Sequence, residues 1–97
     1  VNVNSDALHF ATGNASRWFI THGGDLLPYA NGNTDLGGAS NRIRNIYTSD
    51  LNLSNEGSKN DVDGTWGSYT IQEGEDDIFL INRRSGKKYK FNLTEVV

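Results

Sequence analysis

These 97 residues contain no cysteine, no methionine, one proline and two histidines that stand apart. Without thiols there is no disulfide framework and no cysteine nucleophile. Lone His9 and His22 do not make a metal ligand set, and they lack the alternating His-x-His spacing of an axial metal site. No run approaches the roughly 20 apolar residues of a membrane span, and no signal peptide is visible, so membrane insertion is not expected. Helical periodicity is nearly absent. A basic excess is missing too: the formal net charge of -3 weighs against nucleic acid as a partner. The chain has no initiating methionine and reads as a piece of a longer protein.

Apolar side chains are also scarce. Hydrophobic residues make up 35% of the chain, and mean hydropathy is -0.59. Val, Ile, Leu and Phe together supply 23 positions, little for a single small domain. A domain short of core draws on disulfides, a metal or partner subunits. With the first two routes closed, the composition predicts an obligate partner.

What is abundant is turn chemistry. Twelve Asn and 11 Gly punctuate short apolar runs, the pattern of an all-β chain. Strands are expected over Ala7 to Ala11, Arg17 to Thr21 and Asp25 to Tyr29, the last limited to an edge by Pro28. Asn31-Gly32 is a strong turn signal. Ser40 can cap one helical turn over Asn41 to Asn45, the only helical element expected. Asp50 to Ser54 alternates, with Leu51 and Leu53 on one face. The polar stretch 55–65 divides the chain into an N-terminal β segment (1–54) and a C-terminal β-meander (55–97), parts of one intertwined unit. The meander should run Ser68 to Glu73, Asp77 to Asn82 and Lys87 to Leu93, with Arg83-Arg84-Ser85-Gly86 as its last turn.

Ile78-Phe79-Leu80-Ile81 leaves no wet face, so that strand should be covered on both sides. In so short a chain the second cover is another copy. Ile71, Ile78, Phe79, Leu80, Ile81, Tyr89, Phe91 and Leu93 are therefore the expected interface and core.

Several motifs invite chemistry. Asp35-Leu36-Gly37-Gly38 with Arg42, Ile46 and Tyr47 can form a sharp turn under which Leu36, Ile43 and Ile46 dock, with the Arg42 fork reaching carboxylates or carbonyls. Bracing is the plainer reading, and no phosphate-loop spacing is present. Asp61-Val62-Asp63-Gly64 has the carboxylate alternation of a calcium loop but lacks the remaining ligands, so it reads as a turn and no metal is expected. No nucleophile and base stand at motif spacing, which argues against an enzyme and needs no cofactor. Asp63, Thr65, Trp66 and Tyr69 combine acceptors with aromatic faces suited to a pyranose, whereas Arg83 and Arg84 suit acidic sugars or phosphates. The acids of 61–77 and the cations of 83–90 are segregated in sequence, and cross-strand or intersubunit pairing is the plainer account of them.

Two stretches resemble a known family. Thr34-Asp35-Leu36-Gly37-Gly38 through Arg42 to Ile46-Tyr47 is similar to segments near the distal ends of bacteriophage tail fibres and tailspikes. Asp63-Gly64-Thr65-Trp66-Gly67-Ser68-Tyr69 onward, through Ile78-Phe79-Leu80-Ile81-Asn82 and Gly86-Lys87-Lys88-Tyr89-Lys90-Phe91, resembles the closing sequence of such fibres. The resemblance implies an intertwined, β-rich homotrimer in the virion, at the distal end of a tail fibre. It also implies recognition of a bacterial surface glycan (lipopolysaccharide or capsule) or an outer-membrane protein. A fragment of a polysaccharide-degrading tailspike and a purely structural trimerisation cap are the competing expectations.

Overall fold

The computed structural model describes residues 7–97, so the first six positions of the segment 1–54 lie outside the described residues. The chain is all-β, with no helix among the described residues and two antiparallel sheets. Strands β1 (Leu8–Thr12), β2 (Ala15–Ile20) and β3 (Leu26–Pro28) form the first sheet in that order. Strands β4 (Leu51–Ser54), β5 (Ser68–Glu73), β6 (Ile78–Asn82) and β7 (Lys88–Lys90) form the second, also in chain order. Two compact units divide after Asn45.

In the first unit, Gly13 (φ 59°) and Asn14 (φ 61°) join β1 to β2. Positive φ at both central residues matches the twist of a two-residue hairpin, so the strands extend into the stretch 12–16 left between the two expected ones and only two residues form the turn. Phe10 faces Trp18 whereas Ala11 faces Ser16, which makes Arg17 the extra residue of a bulge. Its Nε donates to the Thr12 carbonyl and hydroxyl, both at 3.2 Å, bracing the turn. Pro28, lacking an N–H, sits on edge strand β3 as its chemistry requires.

Registers and pleat sort the side chains by face. Leu8, Phe10, Trp18, Ile20, Leu26 and Pro28 share one face of the first sheet, all apolar. On the other, the His9 ring stacks on Phe19 with centroids 5.4 Å apart, Tyr29 packs edge-on to Phe19 at 6.1 Å, and His9 Nδ1 lies 2.6 Å from Ser16 Oγ. His9 is thus a cross-strand packing residue, and His22 sits exposed in the β2–β3 turn.

The Asp35–Tyr47 motif departs from expectation. No helical turn forms over 41–45. Gly38 N–H donates to the Asn41 carbonyl (2.9 Å) and Asn41 N–H returns the bond (3.2 Å), closing a tight turn that engages the carbonyl a helical turn over 41–45 would have used. Gly37 takes φ 86°, a conformation that side chains disfavour, and Ile43 approaches it. Arg42 Nη1 donates to the Ala39 carbonyl (2.9 Å), so Arg42 braces its own turn. The expected docking of Leu36, Ile43 and Ile46 does not occur: all three are exposed, as is Tyr47 at 93%.

In the second unit the expected meander forms, with β4 added against β5. The polar stretch 55–65 is therefore a β4–β5 connection inside this unit, where the sequence reading drew a division. Strand β7 ends at Lys90, earlier than expected, although Phe91 N–H still reaches the Ile78 carbonyl (2.9 Å). Leu51, Leu53, Tyr69, Ile71, Ile78, Leu80, Tyr89 and Phe91 share one face, broken only by Glu73 and Asn82. Phe79 and Ile81 point the other way, among Asn52, Thr70, Gln72, Lys88 and Lys90. The residues expected to form the interface and core lie on two unlike faces, and Leu93 lies beyond β7, exposed.

Burial is sparse. Among the described residues only Ile81 (9% exposed) and Thr70 (1%) are buried.

Thr70 Oγ1 donates to Asn52 Oδ1 (2.6 Å) and accepts from Arg83 Nε (3.0 Å), linking β4, β5 and the turn after β6 through one buried hydroxyl. Thr70→Val keeps the shape and removes both bonds. It is expected to cost about 1–3 kcal/mol in urea unfolding, with Thr70→Ser recovering most of the loss. A near-neutral Thr70→Val beside a costly Thr70→Ser would show that packing, not the hydroxyl, matters there.

Candidate binding site at one end of the second sheet

An up-and-down antiparallel sheet places alternate connections at the same end. The β4–β5 connection (55–67) and the β6–β7 turn (83–87) therefore meet, while the acidic β5–β6 turn (74–77) lies at the opposite end. This topology unites two stretches that the sequence offered as separate sites. It also separates the acidic and basic clusters. The cross-strand neighbours of Lys88 and Lys90 are Ile81 and Phe79, so the expected cross-strand charge pairing is not made there.

Asn60 organises the long connection. Its Oδ1 accepts from the N–H groups of Val62 (2.7 Å) and Asp63 (2.9 Å), and its Nδ2 donates to Asp63 Oδ1 (2.7 Å) and the Thr65 carbonyl (2.9 Å). Asp63 Oδ1 also accepts from the Thr65 hydroxyl (2.7 Å) and Thr65 N–H (3.1 Å). Asn55 Oδ1 accepts from Gly67 N–H (2.8 Å) and ties the start of the connection to its end. Neither Asn60 nor Asn55 was singled out in the sequence. The spacing Asn60-x-x-Asp63-x-Thr65, with short polar side chains that bond backbone a few residues on, was the available signal.

Asp63 and Thr65, expected as free acceptors, spend polar atoms on holding the loop. The Thr65 hydroxyl, the Asn60 amide and Thr65 N–H hold the Asp63 carboxyl below its ordinary value of 3.8. Hydrogen bonds to the charged form are the cause. With the folded-state pKa below the unfolded one, this contribution is fully present above the ordinary carboxylate value. It is lost only as pH falls through the lowered one. In a Trp18→Phe background, Trp66 emission should stay constant through the ordinary carboxylate range and change only at more acid pH. Asp63→Asn should remove that step. A transition centred at or above the ordinary value would contradict the assignment.

Trp66 is half-buried, packed at the end of the sheet. The Arg84 guanidinium carbon lies 3.8 Å from its ring centroid, and Nη1 donates to the Trp66 carbonyl (2.9 Å). A cation held over indole at a partly exposed site contributes about 0.5–1 kcal/mol. Arg84 is presented by the tight turn itself, where Asn82 Oδ1 accepts from the N–H groups of Arg84 (3.0 Å) and Ser85 (3.2 Å). Its neighbour Arg83 goes to the other face and bonds Thr70. The two arginines are thus not one basic patch.

Beside this pair lies an open hollow of about 460 Å³. Leu53, Tyr69 and Trp66 supply apolar and aromatic surface. Ser54, Asn55, Asn60, Asp63, Thr65 and Gly67 supply polar groups. The Tyr69 ring lies so close over Gly67 that an added Cβ would sit 2.8 Å from Cε2, so a side chain there would have to displace the ring. Four of the six expected contact residues, Asp63, Thr65, Trp66 and Tyr69, line the hollow, Arg84 borders it through Trp66, and Arg83 does not join it. No group of three or more metal-ligating side chains occurs among the described residues, and no helix among them could cross a membrane. Comparisons with protein families, curated proteins and solved structures found no match for this chain.

Proposed function

We propose that this chain is a distal module of a bacteriophage tail fibre, three copies of which assemble and contact the bacterial surface. One observation carries the reading: both sheets hold largely apolar faces that the chain leaves open. Leu8, Phe10 and Leu26 on the first sheet and Leu51, Leu53 and Tyr89 on the second are each between 41% and 54% exposed. Composition removes disulfides as an alternative staple. The resemblance of the two stretches around Asp35–Tyr47 and Asp63–Phe91 to fibre ends supplies the assembly's number and context.

Within this reading the hollow at Trp66 and Tyr69 meets a host glycan, with Arg84 fixing the indole. The module binds and does not cleave, so the purified protein releases no oligosaccharide from host capsule or lipopolysaccharide. A purely structural cap is the second reading, favoured because Asp63 and Thr65 bond to one another and to Asn60. Sedimentation should give a trimer, and a folded monomer at micromolar concentration would overturn the assembly. Trp66→Ala and Arg84→Ala, if still trimeric, should each lower adsorption to host cells. Parental adsorption by both variants would favour the cap.

A further inference from the structure

We infer that Asn31 is a site of spontaneous covalent modification, converting to aspartate and isoaspartate through a succinimide, while the chemically similar Asp63-Gly64 is protected by its loop. This does not rest on the tail-fibre reading. Both dipeptides place an electrophilic side-chain carbonyl before a glycine, whose missing Cβ leaves its amide nitrogen open to approach. Sequence alone ranks them together as turn signals.

The structure separates them. Asn31 is exposed, in the turn closed by Asn33 N–H to the Ala30 carbonyl (3.3 Å). Gly32 takes φ +68°, its own N–H is not the donor that closes this turn, and nothing lies within 4 Å of where its Cβ would be. Neither the Asn31 amide nor Gly32 N–H makes a hydrogen bond among the described residues. In contrast, the side chains of Asn52, Asn55, Asn60 and Asn82 are all engaged in holding strands and loops. At the other dipeptide, Asp63 Oδ1 is held by Asn60 and Thr65, so the side chain is tethered to its own loop and is not free to swing onto Gly64 nitrogen until the loop unfolds.

The reaction balances with water alone. Gly32 nitrogen loses its proton to base and bonds to the Asn31 side-chain carbonyl carbon, and the Cγ–Nδ2 bond breaks to release ammonia. Water then opens the ring at either carbonyl, giving aspartate, or isoaspartate, in which the main chain runs through the former side-chain carbon and the old main-chain carbonyl is the free carboxylate. No electron transfer is involved. The product adds one negative charge to a chain already at -3.

The test is peptide mapping by mass spectrometry after incubating the intact protein in mildly alkaline buffer, with isoaspartate detected by its separate elution. The expected result is an amide-to-acid mass increase accumulating at Asn31 ahead of every other asparagine. It should disappear in Asn31→Gln, with no isomerisation at Asp63. In urea, isomerisation at Asp63 should appear while the rate at Asn31 changes little. An unmodified Asn31, or a rate there that rises strongly on unfolding, would overturn the proposal.

Discussion

Leu80→Asp is expected to yield no trimer at any concentration, while Phe79→Asp, one residue away, still assembles. Leu80 lies mid-sheet between Ile71 on β5 and Tyr89 on β7, on the face that also carries Leu51, Leu53, Ile78 and Phe91. If copies cover that face, a carboxylate there is buried without a cation, at a cost of about 3–5 kcal/mol for each chain. Phe79 points to the opposite face and stands across from Lys90, which can pair with an introduced carboxylate. Sedimentation velocity on both variants decides the matter. A trimeric Leu80→Asp protein would show that this apolar face is not where copies meet. The doubly apolar run read from sequence would have placed the assembly-breaking charge equally well at Phe79 or Ile81, and only the register tells these positions from Leu80.

Ile81→Ala is expected to be the most costly of the truncations within the second sheet, about 2–4 kcal/mol in chemical unfolding. Ile81 is the only apolar side chain among the described residues that is buried by its own chain, set between Thr70 on β5 and Lys88 on β7. Truncation removes contacts from the one place where this unit is closed without help. Because small domains have little stability in reserve, the loss is a large fraction of the total. Leu53→Ala, at a side chain half exposed in the single chain, separates the two sources of stability. It should change little if the chain acts alone and cost about 1–2 kcal/mol if the face is covered in the assembly. An Ile81→Ala loss below about 1 kcal/mol would contradict the role given to that side chain.

How much was legible beforehand follows from the range of each interaction. Strand existence is local: alternation over Asp50 to Ser54 and the apolar run at Ile78 to Ile81 each became a strand, and Pro28 marked an edge because one missing N–H settles it. Turn chemistry is local too, so Arg83 to Gly86 and Asn31-Gly32 became turns. The failures lie where one local preference competed with another. Ser40 offered a helix cap, but Gly38 and Asn41 satisfied each other's backbone groups first.

Composition by itself determined that this is an all-β chain, rich in turns, with too little apolar material and no covalent staple to close a core. Those properties are sums over residues and need no geometry. What the tertiary structure alone decided is which residues meet. Antiparallel pairing brings Arg84 to Trp66 across 18 positions, sends Arg83 to Thr70 on the far face, and turns Asp63 inward to Asn60 and Thr65. Register has a period of two, so neighbours in sequence are opposites in space. No composition or motif carries that parity until the strands are paired.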